Sequence, residues 1–275
     1  MLFRSRKPGQ ELVEDIPVEK FGDLITADHV TAGVDGTSLD NERTAIVMAD
    51  SFTKMINAYP TTSHSSDDVV EACQQFVGPA DKVGLFYTDG AQELEAAAKK
   101  MQWRHDTSPP YRPQANGVAE RAVRTITEGT RALLKQSGLS HKFWPFAMRA
   151  FAATRNLTTQ VVAGRNGLVK GHEATHAGEN KSAPIKVGTP YFHKFGHDFP
   201  GKIMRFGQAV EYLVEPKRKD EEPSMKFAPK TRTAAFFGYK FAPGGAWKGE
   251  YIVLDWKKTC NAETVRGAEI GRAHV

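Results

Sequence analysis

Three acidic residues occupy positions that a folded sheet could bring together. Asp28 lies within the first predicted strand, Asp89 ends the fourth, and Glu120 lies in the first turn of a long predicted helix. Ligands of open sheets gather near the carboxyl ends of strands, and a helix packed across that edge can add a side chain. Clustered carboxylates repel one another, and hard divalent cations such as Mg²⁺ neutralise them. The three residues are therefore predicted to be ligands of a divalent metal centre.

Such a centre would suit the chemistry of a phosphodiester. Two metal ions about 4 Å apart can activate an attacking oxygen and stabilise the leaving oxygen of an in-line displacement. Each carboxylate also has an ordinary structural interpretation. Asp28 could form a strand-end turn, Asp89 and Gly90 a simple turn, and Glu120 an ion pair with Arg124 one helical turn away. The residues taken singly leave both interpretations open.

The apolar pattern predicts the elements that would position these residues. The order is three strands, a helix, a strand, a helix, a strand and two further helices. The first three strands are close enough in sequence to pair antiparallel, and a helix between the next two makes a parallel crossover. Strands are predicted at 24–30, 44–49, 55–59, 82–88 and 103–107, and helices at 66–77, 92–101, 118–135 and 143–155. The predicted fold class is α/β, with a mixed five-stranded sheet flanked by helices.

The chain divides into segments of different character. A small β-rich module is predicted to follow the helical and mixed-sheet part, with strands at 208–214, 233–239 and 250–256. The sequence IGRAHV at 270–275 matches the translation of a common sequencing-adapter oligonucleotide and is excluded from fold reasoning. The predicted division is an N-terminal extension at 1–17, a core at 18–156, a linker at 157–188, the module at 189–259 and a tail at 260–275.

Positive charge is concentrated in one part of the chain. The 275 residues carry a net charge of +5. The segment 99–135 holds eight basic and three acidic residues, which equals the whole excess. Contacts to a polyanion are therefore predicted there, although a solvated basic helix face is the alternative. The predicted nucleic-acid contacts are Arg121, Arg124, Arg131 and Lys135 on the long helix, with Arg112 and Gln114 in the preceding loop. Contacts of this kind go mainly to phosphate and depend on salt.

Several other classes of protein are disfavoured by composition. No apolar run reaches the length of a membrane span, and the first residues lack the apolar region of a signal peptide. We therefore expect an intracellular protein, in the nucleus or cytoplasm, without a membrane partner. Cys73 and Cys260 are too few for a disulfide framework.

One motif points to a different enzyme class. Residues 172–176 read HEATH, which fits the HExxH signature of zinc metallopeptidases. That signature requires a helix to place His172 and His176 on one face. Gly171 and Gly178 flank the motif and no apolar stripe surrounds it, so the pattern favours a position in the linker.

Longer stretches of sequence resemble a known family. They read TADH at 26–29, AIVMADSFTKMINAYP at 45–60, YTDGAQEL at 87–94 and SPPYRPQANGVAERAVRTI at 108–126. Residues 18–156 thereby resemble the integrase core of Ty1/copia-type retrotransposon polyproteins, which is similar to retroviral integrases. TPY at 189–191, FG at 206–207 and FFGY at 236–239 resemble the segment that follows the core in copia polyproteins.

The resemblance implies a fold, an activity and a set of site residues. The fold is RNase H-like, and the catalytic and metal-binding D,D,E triad corresponds to Asp28, Asp89 and Glu120. The implied activity is that of a polynucleotidyl transferase and endonuclease that uses Mg²⁺ or Mn²⁺. It processes the 3′ ends of element DNA and transfers them to target DNA without a covalent enzyme intermediate. Asn116 matches the family's Asn-Gly pair and is included among the nucleic-acid-binding residues. The implied active form is a homo-oligomer.

The spacing of the triad leaves one alternative open. Between Asp89 and Glu120 lie 30 residues, whereas the family usually has about 35. Gly90 stands where Asn commonly follows the second Asp. A catalytically inactive, nucleic-acid-binding remnant of a transposon polyprotein is therefore the second hypothesis.

Overall fold

The structure is a computed structural model that describes residues 17–108, 117–164, 187–213 and 231–255. Several predicted features lie outside the described residues. They are the N-terminal extension up to residue 16, the contacts Arg112, Gln114 and Asn116, the HEATH motif, the last residues of the predicted module at 256–259, and the predicted tail at 260–275.

A mixed five-stranded sheet forms the centre of the first part of the chain. Its strands are β1 (Leu24–Thr31), β2 (Thr44–Asp50), β3 (Ile56–Thr61), β4 (Leu85–Thr88) and β5 (His105–Thr107), in the order β3-β2-β1-β4-β5. The first three pair antiparallel, whereas β4 lies parallel to both β1 and β5. The predicted sheet is confirmed. β4 begins three residues later than predicted because its pairing with β1 starts at Leu24 opposite Leu85.

Two helices cover one face of this sheet. α1 (Ser66–Val77) begins after Ser65, whose side chain accepts the backbone N–H of Asp68, and α2 (Gln92–Lys100) follows β4. Their apolar side chains pack on alternate residues of β1, as when Val69 and Leu94 join one buried cluster with Ile25. The residues between this face and the two helices form a buried apolar core layer.

Two longer helices cover the opposite face. α3 (Gly117–Ser137) and α4 (Trp144–Thr158) place Ile126 and Met148 in a cluster with Val47 of β2. The two helices approach closely at Gly129, where a Cβ atom would lie 2.1 Å from the ring of Phe151. α4 extends beyond the predicted end at residue 155, because the next two side chains are also buried.

The far side of α4 carries a second sheet. The short strands β6 (Val161–Val162) and β7 (Val187–Gly188) pair with each other, and α5 (Pro190–Phe195) comes next. The strands β8 (Ala209–Leu213), β9 (Thr231–Phe241) and β10 (Trp247–Asp255) form an antiparallel sheet in the order β10-β9-β8. The predicted β-rich module is present, and its Phe236 and Tyr251 share a buried cluster with Leu157 of α4. The predicted domain boundaries remain a prediction. None of the described helices is long and apolar enough to cross a membrane.

A buried lysine of α5 lies beside the layer that α1 and α2 form on the first sheet. The side chain of Lys194 is 4% exposed, and its Nζ lies 3.3 Å from Asp81 Oδ2 and 3.2 Å from the centre of the Phe21 ring. Burial lowers the pKa of Lys194 to about 8, although Asp81 and Asp50 act in the opposite direction. The charged form is therefore less stable here than in water.

We expect the Lys194→Met variant to reveal this cost through its dependence on pH. Because the folded-state pKa is about 8 and the ordinary value is 10.5, the unfolded chain holds the extra proton between these values. The native protein therefore gains about 3 kcal/mol of stability relative to Lys194→Met as the pH rises through that range. Urea unfolding of both proteins at several pH values measures the difference. Parallel pH profiles would contradict the prediction.

Candidate active site

The sheet register places two of the predicted carboxylates side by side. Ala27 of β1 pairs with Thr88 of β4 in parallel register, and Asp28 and Asp89 are the next residues on each chain segment. Neighbouring strands lie about 4.8 Å apart. The third carboxylate, Glu120, lies in the first turn of α3, which packs across β1 and β2.

The other two carboxylates affect the pKa of Asp28. Burial raises the pKa of Asp28, and the charges of Asp89 and Glu120 raise it further. The backbone N–H of His29 donates to Asp28 Oδ1 at 2.7 Å and opposes the shift. The three predicted residues, which we call the acidic cluster, are thus close enough for the charges of Asp89 and Glu120 to act on Asp28, whereas their role as metal ligands and catalytic residues remains a prediction.

A hydrogen-bond chain holds the backbone at Asp89. The fully buried Thr88 hydroxyl donates to the carbonyl of Asp89 at 2.8 Å, and His105 Nε2 lies 2.9 Å from the same hydroxyl. Since the single hydroxyl hydrogen is already donated, His105 must donate from Nε2. Burial lowers the pKa of His105, which is consistent with a neutral ring in that tautomer. Asp89 Oδ1 also accepts the N–H of Ala91 at 3.2 Å.

The long helix presents its charged residues to solvent. Glu120 is exposed, and so are the four predicted DNA-contacting residues of α3: Arg121, Arg124, Arg131 and Lys135. Intervals of three, seven and four residues from Arg121 to Lys135 place side chains along one side of a helix. We call these four basic residues the α3 basic stripe. The stripe starts next to Glu120 and therefore next to the acidic cluster.

The acidic cluster has the donor set of a hard divalent cation. Carboxylate oxygens are the ligands that Mg²⁺ and Mn²⁺ prefer. Burial is the main cause of the raised pKa of Asp28, and the charges of Asp89 and Glu120 add to it; a divalent cation would relieve the repulsion among these charges. Asp28, Asp89 and Glu120 therefore have the ligand chemistry that such an ion prefers, and their role as its ligands remains a prediction.

A second cluster of polar side chains was missed by the sequence analysis. His29 of β1, His64 just before α1 and Glu93 in the first turn of α2 place their ligand atoms within 4.8 Å of one another. Burial lowers the pKa of His29, and the nearby His64 lowers it further. The sequence contains a partial signal for this cluster. Side chains alternate along a strand, so a β1 that turns Asp28 toward α3 turns His29 toward α1 and α2. Which loop residues would meet it could not be read from the pattern.

Sequence comparison links the chain to transposon polyproteins. It is 31% identical over 118 residues to the retrovirus-related Pol polyprotein from transposon RE1 of Arabidopsis thaliana, which covers 40% of this chain and 8% of that protein. It is 39% identical over 59 residues to the corresponding polyprotein from transposon TNT 1-94 of Nicotiana tabacum, which covers 22% of this chain and 4% of that protein. The chain thus spans a small part of these relatives. No protein-family model matches the sequence.

Solved structures give a looser likeness. The catalytic core domain of BIV integrase is 17% identical with a TM-score of 0.37, over 62% of this chain and 91% of that chain. The HTLV-2 integrase catalytic core domain in complex with magnesium is 15% identical with a TM-score of 0.39, over 50% of this chain and 88% of that chain.

The strand arrangement identifies the fold of this chain, and the sequence comparison identifies its relatives. The strand order β3-β2-β1-β4-β5, with β2 antiparallel and β4 parallel to β1, is the RNase H-like arrangement that the motifs implied. The chain is related in sequence to Pol polyproteins of retrotransposons, which confirms the resemblance found in the motifs.

Proposed function

We propose that the chain is a retrotransposon integrase catalytic domain that performs DNA integration by divalent-metal-dependent phosphoryl transfer. The observation that supports it is that Asp28 and Asp89 follow paired positions of two adjacent parallel strands, with Glu120 of α3 close enough for its charge to raise the pKa of Asp28. The proposed steps are processing of the DNA 3′ end and transfer of that end to target DNA. In processing the oxygen of a water molecule attacks a phosphodiester, and in strand transfer the freed 3′-hydroxyl oxygen does so; in each step the new P–O bond replaces the P–O3′ bond, and the leaving 3′ oxygen takes a proton.

Each residue of the cluster has a proposed task. Asp28 supplies a carboxylate from within β1, and the Thr88 and His105 hydrogen bonds hold the backbone that carries Asp89. Glu120 completes the ligand set from the exposed start of α3. A bound Mg²⁺ or Mn²⁺ would supply the positive charge that promotes deprotonation of the attacking hydroxyl and stabilises the leaving oxygen. The protein itself forms no covalent bond to DNA in this scheme.

DNA is the proposed partner, both as element ends and as target. A duplex lying along the α3 basic stripe would lead its backbone toward Glu120, because the stripe begins beside that residue. Contacts of this kind neutralise phosphates and carry little sequence information. We also propose that the integrating species is a homo-oligomer, as the resemblance to integrases implies.

Replacing Asp89 with Asn tests the metal centre. We expect Mn²⁺ to bind at least about 10-fold more weakly to Asp89→Asn, since even loss of an outer-shell partner has that effect on metal affinity. Isothermal titration of the full chain with MnCl₂ gives the affinity. Asp106→Asn is the matched control, because Asp106 lies on the adjacent strand β5. Equal Mn²⁺ affinities for the native chain and Asp89→Asn would overturn the proposed ligand set.

Replacing two arginines tests the DNA contacts. The double variant Arg124→Ala and Arg131→Ala should bind duplex DNA more weakly. The slope of log affinity against log salt concentration should be shallower by about 2, because the slope changes by about 1 for each phosphate contact that is lost. Fluorescence anisotropy at several salt concentrations measures both effects. The control is the double variant Lys142→Ala and Lys248→Ala, which removes the same charge from exposed positions outside α3. A slope that changes equally in both variants would contradict a specific role of the stripe.

A further inference from the structure

The His29, His64 and Glu93 cluster lies on the other side of the sheet from the acidic cluster. Ile25 and Ala27 of β1 belong to the buried layer under α1 and α2. Side chains alternate along a strand, so His29 shares that face and Asp28 has the opposite one. The two groups therefore lie on opposite faces of one strand, although the charge of Asp89 still acts on His29 and raises its pKa.

Three elements converge to build this cluster. β1 contributes His29, whose side chain is 11% exposed, and the first turn of α2 contributes Glu93, which is 27% exposed. The exposed His64 precedes the N-cap of α1, and its ring centre lies 4.8 Å from that of His29. One ligand atom from each residue lies within 4.8 Å of the other two. Side chains at such separations can reach a common ion with small rotations.

The ring nitrogens of His29 lack the hydrogen bonds that a histidine with a purely structural role is expected to make. Its Nε2 atom is buried without a hydrogen-bond partner among the described residues. Its Nδ1 atom is 3.6 Å from Glu93 Oε1, which is too long for a hydrogen bond. A buried polar atom without a partner is unfavourable, because it has lost its hydrogen bonds to water. A bound cation would use one of these nitrogens as a ligand.

We propose that His29, His64 and Glu93 form a second metal site, which takes a divalent transition-metal ion of the zinc type. Two imidazole nitrogens and one carboxylate oxygen suit Zn²⁺ or Co²⁺, whereas Mg²⁺ prefers oxygen ligands alone. Three protein ligands leave one position of a four-coordinate ion for water or another small ligand. The site takes a different ion from the acidic cluster and does not depend on the proposed integrase function.

Zinc binding to the full chain tests this site. The starting protein carries His172→Ala and His176→Ala, so that the HEATH motif offers no imidazoles, and it is stripped of metal and kept in excess Mg²⁺. We expect it to bind one Zn²⁺ per chain. Adding His64→Ala should weaken binding at least about 10-fold, and Glu93→Gln should do the same. His141→Ala is the matched control, because His141 is also exposed and lies away from the cluster in a single 3₁₀ turn before α4.

Three outcomes would overturn the proposal. They are the absence of stoichiometric Zn²⁺ in the starting protein, undiminished affinity in His64→Ala, and loss of Zn²⁺ binding in Asp89→Asn with retention in His64→Ala. The last would place the ion at the acidic cluster instead. Circular dichroism confirms that each variant is folded, and the visible absorption of bound Co²⁺ reports imidazole coordination independently. Because these readouts are metal contents and spectra, they do not depend on DNA chemistry.

Discussion

The Glu120→Gln variant is expected to resolve a branched oligonucleotide that mimics a strand-transfer product about 10³-fold more slowly than the native chain. A metal ligand contributes several kcal/mol of transition-state stabilisation, and about 4 kcal/mol corresponds to this factor. Glu120 is exposed in the first turn of α3, so its replacement removes a charge without removing core packing. The measurement is the initial rate in Mg²⁺ or Mn²⁺.

A second glutamate on the same helix supplies the control for this prediction. Glu128 is exposed on α3 just over two turns further along. Glu128→Gln makes the same chemical change and should keep the native rate. If both variants retain the native rate, Glu120 is not a ligand in the reacting complex. If both lose activity equally, the effect belongs to the charge of the helix and not to the cluster.

The Asn156→Ala variant is expected to lower the free energy of unfolding by about 4 kcal/mol. Asn156 is 4% exposed on α4 and pairs with the edge strand β3. Its Oδ1 accepts the N–H of Ile56 at 3.1 Å, and its Nδ2 donates to the carbonyl of Ile56 at 2.8 Å and to Asn57 Oδ1 at 2.9 Å. Alanine leaves a buried donor and a buried acceptor unpaired, each at about 1 to 3 kcal/mol.

Asn57→Ala isolates the smaller part of this network. Asn57 is half-buried, and its replacement removes its hydrogen bond with Asn156 and the 3.3 Å hydrogen bond that its Nδ2 donates to Tyr59 Oη, while the two bonds between Asn156 and the Ile56 backbone remain. We expect a loss of about 1 kcal/mol. Urea unfolding measures both variants. Equal losses would mean that the amide pairing with the strand edge contributes little.

Much of the fold could be predicted because local chemistry and tertiary packing agree. The Ser65 cap, the acidic residues that follow it and Gly78 mark both ends of α1 in the sequence, and the structure has the helix between them. The five strands were predicted from the sequence, as were the antiparallel pairing of the first three and the parallel crossover between the last two. The meeting of Asp28 and Asp89 was predictable for the same reason, since adjacent parallel strands bring corresponding positions together.

Other features depend on contacts between segments that are distant in sequence. α5 was not predicted, because six residues are too few for a helical period, although Thr189 and Pro190 supply a cap and a favourable first position. The burial of Lys194 against Phe21 joins residues that are far apart in sequence, and no local pattern indicates it. The position of Glu93 beside His29 likewise depends on how the loops before α1 and α2 approach β1.

The rate at which the native chain resolves a branched oligonucleotide in Mn²⁺, relative to Asp89→Asn and to EDTA, tests the central claim most directly. The reaction reverses strand transfer, and the resemblance to integrases implies that the core alone can perform it, so it reports phosphoryl transfer at the acidic cluster itself. We expect metal-dependent resolution by the native chain and none by Asp89→Asn. A folded native sample that binds the DNA and leaves it intact in Mn²⁺ would contradict the proposed activity and support an inactive nucleic-acid-binding remnant.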